Sequence, residues 1–242
     1  MTNPTKQAII DVAPGNITQE YSDDGAILIG EFPVKGSSYF DKLELVLNKE
    51  NSNEITTPIE YTGYNLNLFT GDFTGNKRSE ILIRGDYGGS GRHVIGSIYS
   101  YDDDKLKEIY NLDQFSNDNI CTGKYEDNYK ITIKCGKKKY KMDISKKTKE
   151  YLDKIYNSQG KVKIDPTISI DYPISIYPIK QNDKKTYELI IQQRVLGLNN
   201  QDLLGVIQTQ VNLENKKPTN VYKALLNFGR SEIKRILEPN LT

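Results

Sequence analysis

The sequence predicts an all-β fold, a β-propeller-like repeat domain of about four to five small blades, with one short helix near residues 146–157. Three observations predict it. Short runs alternate apolar and polar residues with period two, the pattern of half-buried strands. The chain carries 17 tyrosines and no tryptophan, alongside many Ile, Asn and Asp residues, which favour strands and turns. A strand, a loop containing glycine and a second strand recur at roughly 54-residue intervals. The 242 residues read as a single domain over 1–242.

The elements follow in order. In the first repeat, Leu43, Leu45 and Leu47 share one strand face, with Glu44 and Asn48 on the other. The second repeat begins at Glu80 and runs through Ile81, Leu82 and Ile83 to a Gly-rich loop and a second strand containing Gly96. Asp102, Asp103 and Asp104 then suit a hairpin tip. Ile131, Ile133 and Cys135 alternate with lysines, as do Tyr140, Met142 and Ile144. Tyr151, Leu152, Ile155 and Tyr156 break the alternation with helical spacing. A helix is therefore expected from Lys146 to Asn157, with Ser145 as N-cap and Gly160 just past its end. The last clear repeat begins at Glu188, with Gly205 in its second strand. A second short helix is expected after Ser231, stopped at Pro239.

Composition narrows the function classes. The formal net charge is +1, so no global field draws in nucleic acid or an anionic membrane. No apolar run approaches the about 18 residues of a membrane-spanning helix, and no secretory leader pattern opens the chain. No transmembrane segment and no nucleic-acid partner are therefore expected. Cys121 and Cys135 flank a predicted turn at Asp127-Asn128, which makes a cross-strand disulfide feasible; two buried free thiols are the alternative. Eight lysines fall between Lys134 and Lys149. Lys137, Lys139 and Lys141 among them read either as a solvated strand face that discourages edge pairing or as an anion-binding surface.

From Asp72 the chain places oxygen-bearing side chains at alternate positions and closes on a carboxylate. Asp72, Thr74, Asn76 and Glu80 could hold Ca²⁺, with the Arg78 carbonyl as a further ligand. Lys77 occupies the position where a calcium loop needs glycine, and Lys77 and Arg78 cancel the loop's negative charge, so such a site would be weak or vestigial. An Asx-type turn explains the same residues. In the later repeat Lys180 and Lys184 replace ligands, and their ammoniums are expected where a cation would sit. Ser90 and His93 lack the glycine that a nucleophile elbow needs at position 92. Tyr39, Tyr61, Tyr64, Tyr87 and Tyr99 lie near predicted loops or strand ends, and no subset can be selected as a binding surface.

The stretch from Gly71 to Gly91 resembles the FG-GAP/VCBS repeat of integrin-like β-propellers, in the form carried by Gram-positive bacterial proteins. That resemblance implies an extracellular or cell-surface setting and a possible Ca²⁺ at one loop. The expected function is a non-catalytic binding or scaffold module for a protein or a cell-envelope polymer. A glycan-directed hydrolase and a structural component of an assembly are the alternatives.

Overall fold

The structure is a computed structural model and describes residues 6–18, 24–34, 36–48, 54–227 and 233–236. Eight strands form the first sheet: β1 (Lys6–Pro14), β2 (Gly25–Phe32), β3 (Tyr39–Asn48), β4 (Ile55–Ile59), β5 (Gly63–Gly71), β6 (Glu80–Asp86), β7 (Val94–Asp102) and β8 (Lys105–Asn111). Their order is β1-β2-β3-β5-β6-β7-β8, with β4 paired to β3. A helix, α1 (Leu112–Asp118), follows. The second sheet has the order β16-β11-β10-β9, formed by β9 (Cys121–Glu126), β10 (Lys130–Cys135), β11 (Lys138–Asp143) and β16 (Ile233–Ile236). After α2 (Lys149–Ile155), the strands β12 (Ser169–Ile179), β13 (Glu188–Leu196), β14 (Leu203–Asn212) and β15 (Thr219–Leu226) form the third sheet in sequence order. The mostly-β expectation is met, but none of these sheets is closed into a barrel or propeller, and an eight-stranded sheet is not a blade of four.

The chain divides into two compact units. Unit 1 comprises 1–114, 175–190 and 210–221. Its core gathers Leu28, Leu43, Leu45, Leu47, Ile81, Ile83 and Ile95, each worth roughly 1.5–3 kcal/mol when fully buried. Alternation in β3 sends its three leucines inward as predicted. β6 and β7 lie inside the sheet and are buried along nearly their whole length, which is why Ile81, Leu82 and Ile83 stand in an unbroken apolar run without alternation. Asp103 and Asp104 form the β7–β8 turn with φ of 51° and 58°, a conformation that Asp tolerates better than most residues.

Unit 2 comprises 115–174, 191–209 and 222–242. The alternating residues of β10 and β11 supply its core: Ile131, Ile133, Cys135, Tyr140 and Met142, joined by Ile155 and Tyr156 from the helical segment. α2 is shorter than predicted. Its N-cap is Thr148, whose hydroxyl accepts the Tyr151 N–H, not Ser145. The Ser145 N–H instead bonds the Asp143 carboxylate, and the Lys147 N–H closes a turn on the Ile144 carbonyl. At the other end Tyr156 leaves the helix for a bridge with Val162. The helix expected after Ser231 is corrected as well. Ile233–Ile236 is a strand antiparallel to β11, and the rest of that stretch lies outside the described residues. Ile233 and Ile236 have helical spacing, but pairing with a distant strand overrides it.

Candidate functional site

The Asp72 loop is built around its own hydrogen bonds. The Asp72 carboxylate accepts the Gly75 N–H at 2.7 Å and the Lys77 N–H at 3.0 Å. Glu80 is 1% exposed. One of its oxygens accepts the Phe73 and Thr74 N–H groups at 2.8 and 3.2 Å. The other accepts the Thr74 hydroxyl at 2.9 Å and the Asn76 side-chain amide at 3.2 Å. The Asn76 oxygen is turned away to accept the Arg78 N–H at 2.7 Å. Thr74 and Asn76 therefore aim donors at Glu80, where a cation would need oxygens, and the four residues do not fit calcium. Among the described residues, no group of three or more His, Cys, Asp or Glu side chains is placed to hold a metal. Lys77 takes the left-handed φ of 67°, held there by the Asp72 bond to its N–H.

The same device appears earlier in the chain. Asp24, 1% exposed just before β2, accepts both the N–H and the hydroxyl of Thr18, six residues back, at 2.8 and 2.6 Å. Thr74 stands six residues before Glu80 and makes the same pair of bonds. Glu188 is the third buried closing carboxylate, 1% exposed. Lys184 donates to it at 2.5 Å, four residues back, where Asn76 serves Glu80. The other partners of Glu188 include Gln210 at 2.5 Å and Asn212 at 3.1 Å. Lys180 lies instead over the Tyr187 ring, 5.2 Å from its centroid. The copies also touch in a repeated way: the Ser79 N–H donates to the Asn16 carbonyl and the Tyr187 N–H to the Asp72 carbonyl, both at 2.7 Å. The Thr18–Asp24 pair was missed in the sequence, although its six-residue offset matches that of Thr74–Glu80. Burial pushes the Glu80 carboxyl up, outweighing the Phe73 and Thr74 donors. At Glu188, burial is outweighed by Lys184, Gln210 and Asn212, and the carboxyl is held below its ordinary value.

A cleft of about 650 Å³ opens elsewhere in unit 1. Tyr61, Tyr87 and Tyr99 line it with Glu60, Glu108 and Asp113, so three of the five tyrosines singled out in the sequence converge. Tyr39 and Tyr64 pack on each other instead, with ring centroids 5.2 Å apart. A register shift between β7 and β8 sets Glu108 opposite Tyr99; such bulges re-aim side chains. One Glu108 oxygen accepts the hydroxyls of Ser97, Tyr61 (3.1 Å) and Tyr99 (3.5 Å), and the other accepts the Asn111 amide at 2.8 Å. These donors are all uncharged. Burial, with the Glu108 charge next in weight, raises the Tyr61 phenol. Burial also pushes Tyr99 up to about 12, so both phenols stay protonated donors at neutral pH. Ser90 is exposed in the β6–β7 loop and is not among the residues lining the cleft.

Unit 2 holds the remaining predicted residues. Cys121 and Cys135 sit directly opposite in the β9–β10 register and are joined as a disulfide with Cα atoms 4.3 Å apart. Lys139 and Lys141 share one face of β11, and Lys137 is exposed in the turn before it. β11 is not a sheet edge, because β16 pairs along it; the edge-protecting role expected of these lysines is thereby corrected. Asp202, beside α2, accepts the Tyr151 hydroxyl at 2.6 Å and the Lys147 ammonium at 3.1 Å.

Lys223, 6% exposed, donates to the Asn119 side-chain oxygen at 2.9 Å. Burial, with repulsion from Lys138, pushes its ammonium down to about 8 from the ordinary 10.5. Between those values the unfolded chain binds a proton that the native chain does not, so the Lys223 contribution to stability rises with pH. Urea unfolding at pH 7, 8 and 9 should show the parent gaining stability relative to Lys223→Met as pH rises. A variant as pH-dependent as the parent across this window would contradict the assignment.

Fold and site together define a mostly-β protein whose loops are organised around buried carboxylates. Comparison with known proteins places it further. The family described as YybI C-terminal domain matches residues 119–226, a segment that spans the Asn119–Lys223 bond. The Bacillus subtilis (strain 168) protein described as "Uncharacterized protein YybI" is 30% identical over 210 residues, covering 85% of this chain and 79% of that protein. The chain belongs to the YybI family. This overturns the FG-GAP/VCBS resemblance, which rested on one turn motif whose residues the structure explains by local hydrogen bonding. No solved structure gives a significant match.

Proposed function

We propose that this chain is a non-catalytic binding module whose cleft in unit 1 holds cationic side chains of a partner protein. The observation that carries this reading is Glu108: a carboxylate in an aromatic-walled cleft, satisfied by hydroxyls and an amide and, among the described residues, by no ammonium or guanidinium. The cleft's lining contains Glu60 and Asp113 as well, and no Lys, Arg or His. Tyrosine faces attract cations, and a charge-assisted bond to a carboxylate adds direction. A glycan hydrolase would need one cleft carboxyl held protonated as the acid. Glu108 instead accepts the hydrogen bonds of Ser97, Tyr61, Tyr99 and Asn111, as a carboxylate does, which favours binding over hydrolysis.

The test is calorimetric titration with a trilysine peptide. Hydrogen bonds to charged groups contribute about 1.5–3 kcal/mol, so Glu108→Gln should weaken binding about ten- to a hundredfold. Tyr61→Phe, which removes only the hydroxyl, should cost less. Unchanged affinity in Glu108→Gln, or no binding at millimolar peptide, would defeat the proposal.

A further inference from the structure

We propose that the outward face of the β9-β10-β11 sheet in unit 2 binds a linear, phosphate-bearing anionic polymer. The proposal is independent of the cleft and rests on strand register. Cys121, Gly123 and Tyr125 of β9 share a face with Ile131, Ile133 and Cys135 of β10 and with Tyr140 and Met142 of β11, and most of these residues are in the unit 2 core. The alternate residues must then point the other way. In register they form three rows: Thr122, Lys134 and Lys139; Lys124, Thr132 and Lys141; Glu126, Lys130 and Asp143. Five lysines thus meet two carboxylates on one sheet face: the alternation in the sequence already sets Lys130, Lys134, Lys139 and Lys141 opposite the apolar residues, and the register adds Lys124.

The two carboxylates are already engaged. Lys130 pairs with Asp143, and Glu126 lies 3.3 Å from Lys124 and 3.8 Å from Lys141. Lys134 and Lys139 stand directly opposite each other, with Lys137 in the adjoining turn. None of these three has a carboxylate at ion-pair distance among the described residues. Like charges directly opposite on a sheet destabilise it, and an anion seated between them would relieve that repulsion.

The geometry suits a chain more than a single ion. Neighbouring strands lie about 4.8 Å apart and alternate residues about 6.7 Å apart along a strand. Ammonium groups are therefore offered on a grid of that spacing, and lysines from two strands can reach one phosphate. These lysines include no arginine fork, so recognition reads charge density and not a planar, bidentate geometry. A densely charged phosphate chain also gains from counterion release.

The probe is long-chain inorganic polyphosphate, titrated calorimetrically into the full chain, with polyglutamate of similar length as a carboxylate comparison. Polyphosphate should bind more tightly than polyglutamate, and its affinity should fall about tenfold or more between roughly 50 and 200 mM salt. The combined substitutions Lys134→Gln, Lys139→Gln and Lys141→Gln should weaken binding at least about tenfold. Lys105→Gln with Lys185→Gln, both in unit 1, should leave it nearly unchanged. If the triple variant loses its melting transition, Lys134→Gln and Lys139→Gln singly carry the same comparison. Binding that survives these substitutions, equal or tighter binding of polyglutamate, or no polyphosphate binding at low salt would each overturn the proposal.

Discussion

Replacing Glu80 by alanine is expected to destabilise the protein by about 4 kcal/mol or more, at the upper end of what single substitutions do. Four donors lose their acceptor at once: the Phe73 and Thr74 N–H groups, the Thr74 hydroxyl and the Asn76 amide. Each buried donor left unsatisfied costs about 1–3 kcal/mol. Asp72→Ala should cost only about 1 kcal/mol, the scale of a lost capping interaction, because Asp72 is partly exposed and accepts two loop N–H groups. Denaturant unfolding measures both. Equal costs, or a larger one at Asp72, would show that the loop is organised from its first residue. Calcium in excess over EDTA should leave the melting temperature unchanged, since the loop donors already occupy the oxygens that an ion would need.

The pH dependence of the two buried glutamates has opposite signs. The Glu80 carboxyl is raised, so its contribution to stability is fully present below the ordinary value of 4.5 and is lost as pH climbs through the folded value. The Glu188 carboxyl is lowered, so its contribution is present above 4.5 and is lost as pH falls through the folded value.

The second large effect is expected at the disulfide. Cys121 and Cys135 are 14 residues apart in sequence, and closing a loop of about 15 residues is worth about 3 kcal/mol through the unfolded chain. Replacing both cysteines by alanine, or reducing the protein, should lower the melting temperature by about 6–12 °C. The reduced parent and the double variant should then melt together. A double variant as stable as the oxidised parent would mean that the strands of the second sheet hold each other without the link. Such a bond persists where thiols are not kept reduced, so the oxidised form is the one to assay for binding.

How much was legible in the sequence depended on how local the cause was. The faces of β10 and β11, the Asp103–Asp104 turn and the kernel of α2 follow from spacing within a few residues, and the sequence shows them. α1 was missed because its seven residues bury only Leu112 and Phe115, too few for a periodic stripe; its start is marked by Asn111, whose side chain accepts the Gln114 N–H. Ile233–Ile236 was read as helix because its pairing partner lies nearly a hundred residues away. The repeat was visible, but its constant feature was mistaken. The position of Asp72 is Asn16 and Lys180 in the other copies, whereas the closing carboxylates Asp24, Glu80 and Glu188 are all buried. Attention to the opening residue suggested a metal; the closing residue organises the loop. The cleft is assembled from β4, β7, β8 and the segments around them, so no window of sequence could separate Tyr61, Tyr87 and Tyr99 from the other tyrosines.

The cleft can be located most directly by backbone amide chemical-shift mapping during titration with the trilysine peptide. The predicted result is a saturable set of shifts at Glu60 to Thr62, Tyr87, Ser97 to Tyr99 and Glu108 to Asp113, with β9, β10 and β11 unmoved. Shifts centred on any other surface, or none at saturating peptide, would contradict the account.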